Sequence, residues 1–289
     1  MRALQIWTLA ARPKTLVAGI APACTGAVLA MTEGHFSSLL FLLTLLTGIL
    51  IQIGSNLTND YFDCVKGADT AARKGFLRVM QAGLVPPSAM RRAILLTFTL
   101  VVISGAYLVF VGGFGIGLML SLYLLLSLLY TAGPYPLAYL GLGDLLVLLL
   151  YGPGAVLITY FLQTHSLSQT ATLAGLSLGT LSTTILAINN LRDVEEDRAA
   201  GKKTLIVRLG TRFGKLEIVA LLALTFVIPL CLYKQHPFAL LSLGALPLAI
   251  SLAYAVINNE DPYQLNPLFE KAAKLLWLFT LLLCLGLML

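Results

Sequence analysis

Along this chain, charged residues are confined to short intervals between long apolar runs. Stretches without Asp, Glu, Lys or Arg cover residues 15–32, 34–59, 93–143, 145–191, 218–233, 235–259 and 275–289. A bilayer core takes about 20 apolar residues per helix. Five of the stretches therefore each predict one crossing, whereas 93–143 and 145–191, with 51 and 47 residues, each predict two. Turn chemistry stands where those two must reverse: Gly112, Gly113 and Gly115 in the first, and Gln163 to Gln169 with Thr164, Ser166 and Ser168 in the second. The pattern predicts an all-α membrane protein with nine transmembrane helices, forming a single domain over residues 1–289.

Composition agrees with this reading. Hydrophobic residues make up 58% of the chain and charged ones 11%, and the mean hydropathy is +0.89, whereas a soluble protein carries roughly 25% charged residues. Walking the chain through nine crossings places eighteen of its nineteen Lys and Arg residues on one side, with Lys234 alone opposite. Cytoplasmic loops are rich in Lys and Arg, so the N-terminus is expected inside and the C-terminus outside. The net charge of +6 then serves topology. Nucleic-acid binding is disfavoured, because the basic loops are interleaved with Asp clusters and lack a reading module. The first apolar run is long enough to be retained as a helix rather than cleaved as a signal. Cys24, Cys64, Cys231 and Cys284 lie in or beside predicted helices without paired loop spacing, so they are expected to be packing residues.

The same topology separates possible catalytic groups. Of thirteen Asp and Glu residues only Glu33 falls outside, whereas His35, His165 and His236 all do. A Ser/His/Asp arrangement needs hydrogen-bonded contact among its members, so hydrolase chemistry of that kind is disfavoured on the inner face.

Two inner loops, at about 56–92 and 189–217, carry similar clusters. The first reads Asn56-Leu-Thr-Asn59-Asp60-Tyr-Phe-Asp63, then Lys66-Gly67-Ala-Asp69. The second reads Asn189-Asn190-Leu-Arg192-Asp193, then Asp197 and Gly201-Lys202-Lys203-Thr204. If each preceding helix continues a turn or two, Asn56, Asn59, Asp60 and Asp63 share one face, as do Asn189, Asn190, Asp193 and Asp197. Two such faces opposed across a cavity need a cation. Hard oxygen ligands suit Mg²⁺, which binds one or two carboxylates and fills its other positions with water and phosphate oxygens. A phosphate or diphosphate substrate is implied, with Lys66, Arg73, Lys74, Arg78, Arg192, Lys202 and Lys203 available to its oxygens. The apolar interior beneath suits a lipid tail. For either cluster alone, helix-terminal and solvated loop residues would be the simpler reading; the repetition four helices apart favours a site.

These residues resemble the two Asp-rich motifs of the UbiA superfamily of intramembrane aromatic prenyltransferases, over almost the whole chain. Asn59-Asp60-Tyr61-Phe62-Asp63 is similar to the first motif, and Asn189-Asn190-Leu191-Arg192-Asp193 through Asp197 to the second. Within the superfamily the chain is most similar to the branch that prenylates 1,4-dihydroxy-2-naphthoate, through Arg12-Pro13-Lys14-Thr15, the segment Lys66 to Gly83, and Gly133 through Gly141-Leu142-Gly143-Asp144. It departs from that branch at Phe76, where Pro is common, and at Met80, where Thr is common.

The resemblance implies a nine-helix bundle around a central cavity, with its active-site loops on the cytoplasmic side of a prokaryotic inner membrane. It implies transfer of a polyprenyl chain from its diphosphate to the naphthoate, with decarboxylation, in menaquinone synthesis. It further implies Mg²⁺ as cofactor, the bilayer as environment and no obligate protein partner. Asp60, Asp63, Asp193 and Asp197 would coordinate the Mg²⁺-diphosphate, supported by Asn59, Asn189 and Asn190. Asp69, Arg73, Arg78 and Lys202 are further substrate contacts on this reading. Asp144 either positions the acceptor or a loop, or caps the helix that follows. Tyr61, Phe62, Tyr130, Tyr135 and Tyr151 either line the cavity or pack; Trp7 and Trp277 look like interface anchors. Other readings are a different acceptor, such as 4-hydroxybenzoate or another dihydroxynaphthoate isomer, and an ion-coupled transporter. The Asp-Gly and Ala-Arg signature of CDP-alcohol phosphotransferases is absent.

Overall fold

The computed structural model describes residues 2–68, 74–133 and 135–289, so two of the expected site residues, Asp69 and Arg73, lie outside the described residues. Helices α1 (Ala3–Ala11), α2 (Pro13–Thr32), α3 (Ser38–Val65) and α4 (Pro87–Leu129) are followed by α5 (Gly143–Leu149) and α6 (Ala155–Thr164). Then come α7 (Gln169–Arg192), α8 (Val194–Ala199), α9 (Leu205–Leu209), α10 (Thr211–Leu232), α11 (Leu246–Ile257) and α12 (Leu265–Met288), and no strand occurs among the described residues.

Eight stretches among the described residues are long and apolar enough to cross a membrane, one fewer than the nine expected, and the chain is an integral membrane protein. The difference lies in α4, where hydrogen bonding runs on around a reversal at Gly113. There φ is 71° and ψ is −166°, a conformation open only to glycine. Gly105 faces Leu120, Val109 faces Gly117, and Gly112 meets Ile116. These pairs converge on Gly113, so the arms 87–112 and 114–129 run antiparallel, with the reversal at the glycines expected to turn the chain. The second expected reversal occurs as read: α6 ends at Thr164 with His165 left-handed, and Ser168 caps α7 by accepting from the Ala171 N–H.

Helix α7 is the axis of the bundle, with eighteen of its 24 residues buried. Beside its six Leu residues it carries five Thr, two Ser and two Gly. The hydroxyls of Thr180, Thr183 and Thr184 donate to carbonyls three or four residues back, at 2.8 Å each, which satisfies them without water. The small residues admit close approach. A Cβ on Gly152, in the turn joining α5 to α6, would come within 2.8 Å of the Gly175 carbonyl oxygen and the Gly179 Cα, and one on Gly179 would lie 2.3 Å from the Leu148 carbonyl oxygen. Backbone therefore packs on backbone, the small-residue contact by which membrane helices associate. It fixes the α5 segment, which carries Asp144, against α7.

Gly179→Leu is expected to destabilise the protein by about 1–3 kcal/mol, the range for overpacking a filled interface. Thermal unfolding in detergent checks this. Gly115→Ala, at a position with open space around it, is the control and is expected to leave the unfolding temperature unchanged.

Candidate active site

Helix α3 runs past its apolar section to Val65, so the Asn/Asp cluster is helical, as its spacing predicts. Asn56, Asn59 and Asp63 face a cavity of about 490 Å³. Across it, Asn189, Asn190, Asp193 and Asp197 line the opposite wall. Helix α7 does not run unbroken through this cluster: it ends at Arg192, Asp193 forms the junction and α8 starts at Val194. The ladder bonds Asp193 N–H to Asn189 C=O at 3.0 Å and Asp197 N–H to Asp193 C=O at 2.8 Å persist, which keeps both carboxylates on the cavity side.

Lys202 joins the two clusters. Its ammonium lies 3.3 Å from Asp63 Oδ2 and 3.3 Å from Asp197 Oδ1. Burial alone would lower the Lys202 pKa, but the charges of Asp63 and Asp197 raise it, so the ammonium stays protonated. Burial pushes the Asp197 carboxyl up to about 6, against the pull of Lys202 and with the push of Asp193. Asn59 Nδ2 donates to Asp63 Oδ2 at 3.0 Å, and its own carbonyl accepts from Arg12 at 3.2 Å. Arg12 occupies the left-handed turn between α1 and α2, at φ 53°, which swings its guanidinium over α3.

On the other wall Arg192, 1% exposed, clasps Asp193 through Nε at 2.6 Å and a terminal nitrogen at 2.9 Å. It also donates to Asn189 Oδ1 at 2.7 Å and to Asn266 Oδ1, on α12, at 3.0 Å. Asn266 in turn donates to the Lys74 carbonyl at 3.0 Å, and the Lys74 N–H donates to Glu196 at 2.7 Å. Phe76, one of the two departures from the naphthoate branch, places its ring 4.5 Å from the Lys14 ammonium, 5.4 Å from the Arg192 guanidinium and 5.3 Å from the Phe269 ring. A flat aromatic here bridges two cations and an apolar wall, which a proline ring does less well.

Asp60 is separated from the others. It is buried, is not among the cavity's lining residues, and accepts from the Val79 N–H at 3.3 Å, so it holds the loop that brings Arg78 to the cavity wall. Arg78 and Lys202 both line the cavity, as does Asp144. Lys66 does not: its ammonium donates to the Thr131 and Gly133 carbonyls at 2.8 and 3.1 Å. Among the aromatic candidates Tyr130 and Tyr151 line the cavity, whereas Tyr61, Phe62 and the exposed Tyr135 do not. Sequence reasoning gave no site role to Arg12, Lys14, Thr15, Gln52 or Ser182, all of which line it. The Arg12-Pro13-Lys14-Thr15 run was the available signal; nothing in the spacing of Gln52 or Ser182 separates them from other polar helix residues.

The donor set fits a hard divalent ion. Asp63 Oδ1 is buried with no hydrogen-bond partner, and the remaining candidates are carboxylate and amide oxygens. Among the described residues no three carboxylates, histidines or cysteines are close enough to chelate an ion by themselves. Such a site suits an ion that takes one or two carboxylates and completes its shell from a phosphate ligand. Deeper in the bundle a second, mostly apolar cavity of about 130 Å³ shares Ala18, Tyr130, Val147 and Tyr151 with the first. The whole is a polar, cation-lined mouth leading into an apolar chamber, the shape that a molecule with an anionic head and a hydrocarbon tail requires.

The chain belongs to the UbiA prenyltransferase family, whose pattern residues 20–288 match. It is 39% identical to the 1,4-dihydroxy-2-naphthoate octaprenyltransferase of Escherichia coli, over 99% of this chain and 96% of that one. It is 36% identical to the enzyme of the same name from Haemophilus influenzae, over 99% of this chain and 96% of the relative. The fold is that of a UbiA homolog from Archaeoglobus fulgidus solved bound to GPP and Mg²⁺, with a TM-score of 0.64 at 16% identity over 96% of this chain and 99% of that one.

Arg192→Met removes the guanidinium from the buried Asp193 carboxylate, and a loss of about 3–5 kcal/mol of stability is expected, as for other broken buried pairs. Pairing it with Asp193→Asn is expected to recover part of that loss. Unfolding of the single and double variants in detergent checks both.

Proposed function

We propose that this protein transfers a polyprenyl chain from polyprenyl diphosphate to 1,4-dihydroxy-2-naphthoate, with loss of the acceptor carboxyl group, giving a demethylmenaquinol, the reduced form of a demethylmenaquinone. One observation carries the reading: the two Asn/Asp clusters converge on a single polar-mouthed apolar cavity, in a chain 39% identical over nearly its whole length to a relative of that name.

On this reading Asp63, Asp193 and Asp197 bind a Mg²⁺-diphosphate head, and Asn59, Asn189 and Asn190 orient them. Mg²⁺, when bound, supplies positive charge where the leaving diphosphate develops negative charge. Arg78 and Lys202 donate to the non-bridging oxygens, and the cavity position of Arg12 and Lys14 supports the same use. Lys202 shifts from the carboxylates toward the diphosphate as the head enters. Asp60 acts through the loop, holding Val79 so that Arg78 faces the head. Asp69 and Arg73 are proposed as further head contacts from their place in the loop between Lys66 and Arg78. The apolar chamber takes the first isoprene units, and the faces of Tyr130 and Tyr151 stabilise positive charge on the allylic carbon. Exclusion of water by the surrounding helices strengthens each of these electrostatic contacts.

The whole chain of 289 residues works as one catalytic unit in a prokaryotic inner membrane, its N-terminus and active-site loops cytoplasmic. The placement of eighteen of nineteen basic residues on that side supports the orientation.

The test is prenyl transfer by purified protein with Mg²⁺, octaprenyl diphosphate, and 1,4-dihydroxy-2-naphthoate or 4-hydroxybenzoate in parallel. Product from the naphthoate alone is expected, and product from the benzoate alone overturns the acceptor. Asp63→Asn keeps the shape and removes the charge; turnover is expected to fall by about 10²–10³, comparable to the loss of one transition-state donor, in a protein that is less stable but still folded and inserted, because Lys202 keeps its contact with Asp197. A chelator is expected to stop the reaction and added Mg²⁺ to restore it. Transfer that persists in chelator would remove the metal from the mechanism.

A further inference from the structure

Below the cluster of charges the cavity holds a carboxylate that this account of the diphosphate does not use. Asp144 is 6% exposed, lines the cavity, and its Oδ1 has no hydrogen-bond partner. Its place in α5 does not explain it as a cap. The residue preceding α5 is Leu142, no side chain caps that helix, and Asp144 stands inside its first turn. A buried carboxylate oxygen left without a donor costs free energy unless a ligand supplies one.

Its surroundings point to what that ligand is. The Asp144 carbonyl accepts from Thr183 Oγ1 at 3.4 Å, which places the residue beside the middle of α7. The ten residues from Thr183 to Asp193 span about 15 Å of helix, so the Asp144 backbone is anchored below the level of Asp193, with the Tyr130 hydroxyl within electrostatic reach of Asp144, Asp63 and Asp197 alike. Ser182, at the same level, also lines the cavity, and its hydroxyl is buried without a partner. The Tyr130 hydroxyl sits against Gly143, where a Cβ would meet it at 2.9 Å. Glu217, on α10, is within electrostatic reach of Asp144, and so is Tyr130. Two unpartnered polar groups beside aromatic rings, at the junction of the head site and the apolar chamber, fit a flat hydroxylated ring. They do not fit a hydrocarbon tail.

Building on the proposed acceptor, we infer that Asp144 Oδ1 receives a ring hydroxyl of the naphthoate, takes its proton as the new bond forms, and that Ser182 hydrogen-bonds the same acceptor. The ring carbon donates its π pair to C1 of the prenyl chain, the C1–O bond breaks, and its pair leaves with diphosphate. The O–H pair becomes a carbonyl π bond as the proton passes to Asp144. Loss of CO₂ returns the carbon–carbon bonding pair to the ring, the carbonyl oxygen takes the proton back from Asp144, and no oxidant or reductant is consumed. Asp144 is thus a catalytic residue for the acceptor half of the reaction, distinct from the carboxylates that hold the diphosphate.

The test compares Asp144→Asn and Ser182→Ala with the unaltered protein in octaprenyl transfer to 1,4-dihydroxy-2-naphthoate. Asp144→Asn is expected to lower kcat by about 10²-fold, the usual worth of a positioned base, with a raised KM for the naphthoate and an unchanged KM for octaprenyl diphosphate. With a ring-fluorinated naphthoate, whose hydroxyl ionises more readily, the deficit is expected to shrink, which a merely structural role would not produce. Ser182→Ala is expected to raise the naphthoate KM several-fold with little change in kcat, and it tests the acceptor seat even if Asp144→Asn fails to fold. Near-normal kinetics in both variants overturns the inference. So does a deficit in Asp144→Asn that falls on octaprenyl diphosphate, or one that is indifferent to acceptor acidity. An unaltered protein that transfers nothing to the naphthoate would instead overturn the functional reading on which the inference rests.

Discussion

The ammonium of Lys202 between Asp63 and Asp197 is the contact on which the polar half of this protein depends. It joins residues 139 positions apart and brings the end of α3 to the end of α7. Without a cation there, three buried carboxylates would face one another across a medium that screens charge poorly. The backbone sets Lys202 in place: Gly201 turns at φ 74° and the Lys202 N–H donates to the Asp197 carbonyl at 2.8 Å. Asp193 is held in the same manner by Arg192, and the neutral amide of Asn59 accepts from Arg12. Each clasp recruits a further helix, so α1, α2, α3, α7, α8 and α12 are tied together at the end of the bundle where the diphosphate is proposed to bind.

The apolar half obeys a different constraint. In lipid, backbone and hydroxyl groups must find partners within the protein, and α7 turns Thr180, Thr183 and Thr184 back on its own carbonyls. Its glycines then let the α5–α6 turn approach to backbone contact. The axis of the bundle is consequently thin. The space saved by small residues on one side of α7 is matched by the cavity on another, lined by Ser182, Ile185, Leu186 and Asn189. One helix thus supplies close packing, a cavity wall and, at its end, half of the charged cluster.

The two halves divide the chemistry. Cations and carboxylates at the mouth suit the ionic head of one substrate, and the Asp144 carboxylate beside Thr183 suits the hydroxyl of the other. The tyrosines between them, Tyr130 and Tyr151, belong to both the polar cavity and the apolar chamber.

The sequence by itself determined the membrane class, the positions of the helices and the two Asn/Asp clusters, because apolar run length and helical spacing are local properties. It also marked both reversals, since glycine at 113 and the polar run at 163–169 act within a few residues. Only the tertiary structure decided which of the marked residues meet. Asp63, Asp193 and Asp197 share the cavity while Asp60 turns to Val79, although Asp60 and Asp63 stand on one helical stripe; a loop nineteen residues away makes the difference. Lys66 and Lys202 look equivalent as loop cations, yet one is bound by carbonyls of the loop after α4 and the other bridges the clusters. Arg12 and Ser182 enter the site through a left-handed turn and through the packing of α7, neither of which leaves a periodic trace. The physical reason is that a side chain's partner is set by distance and by the need to pair every buried charge. Both are properties of the closed bundle and not of any one segment.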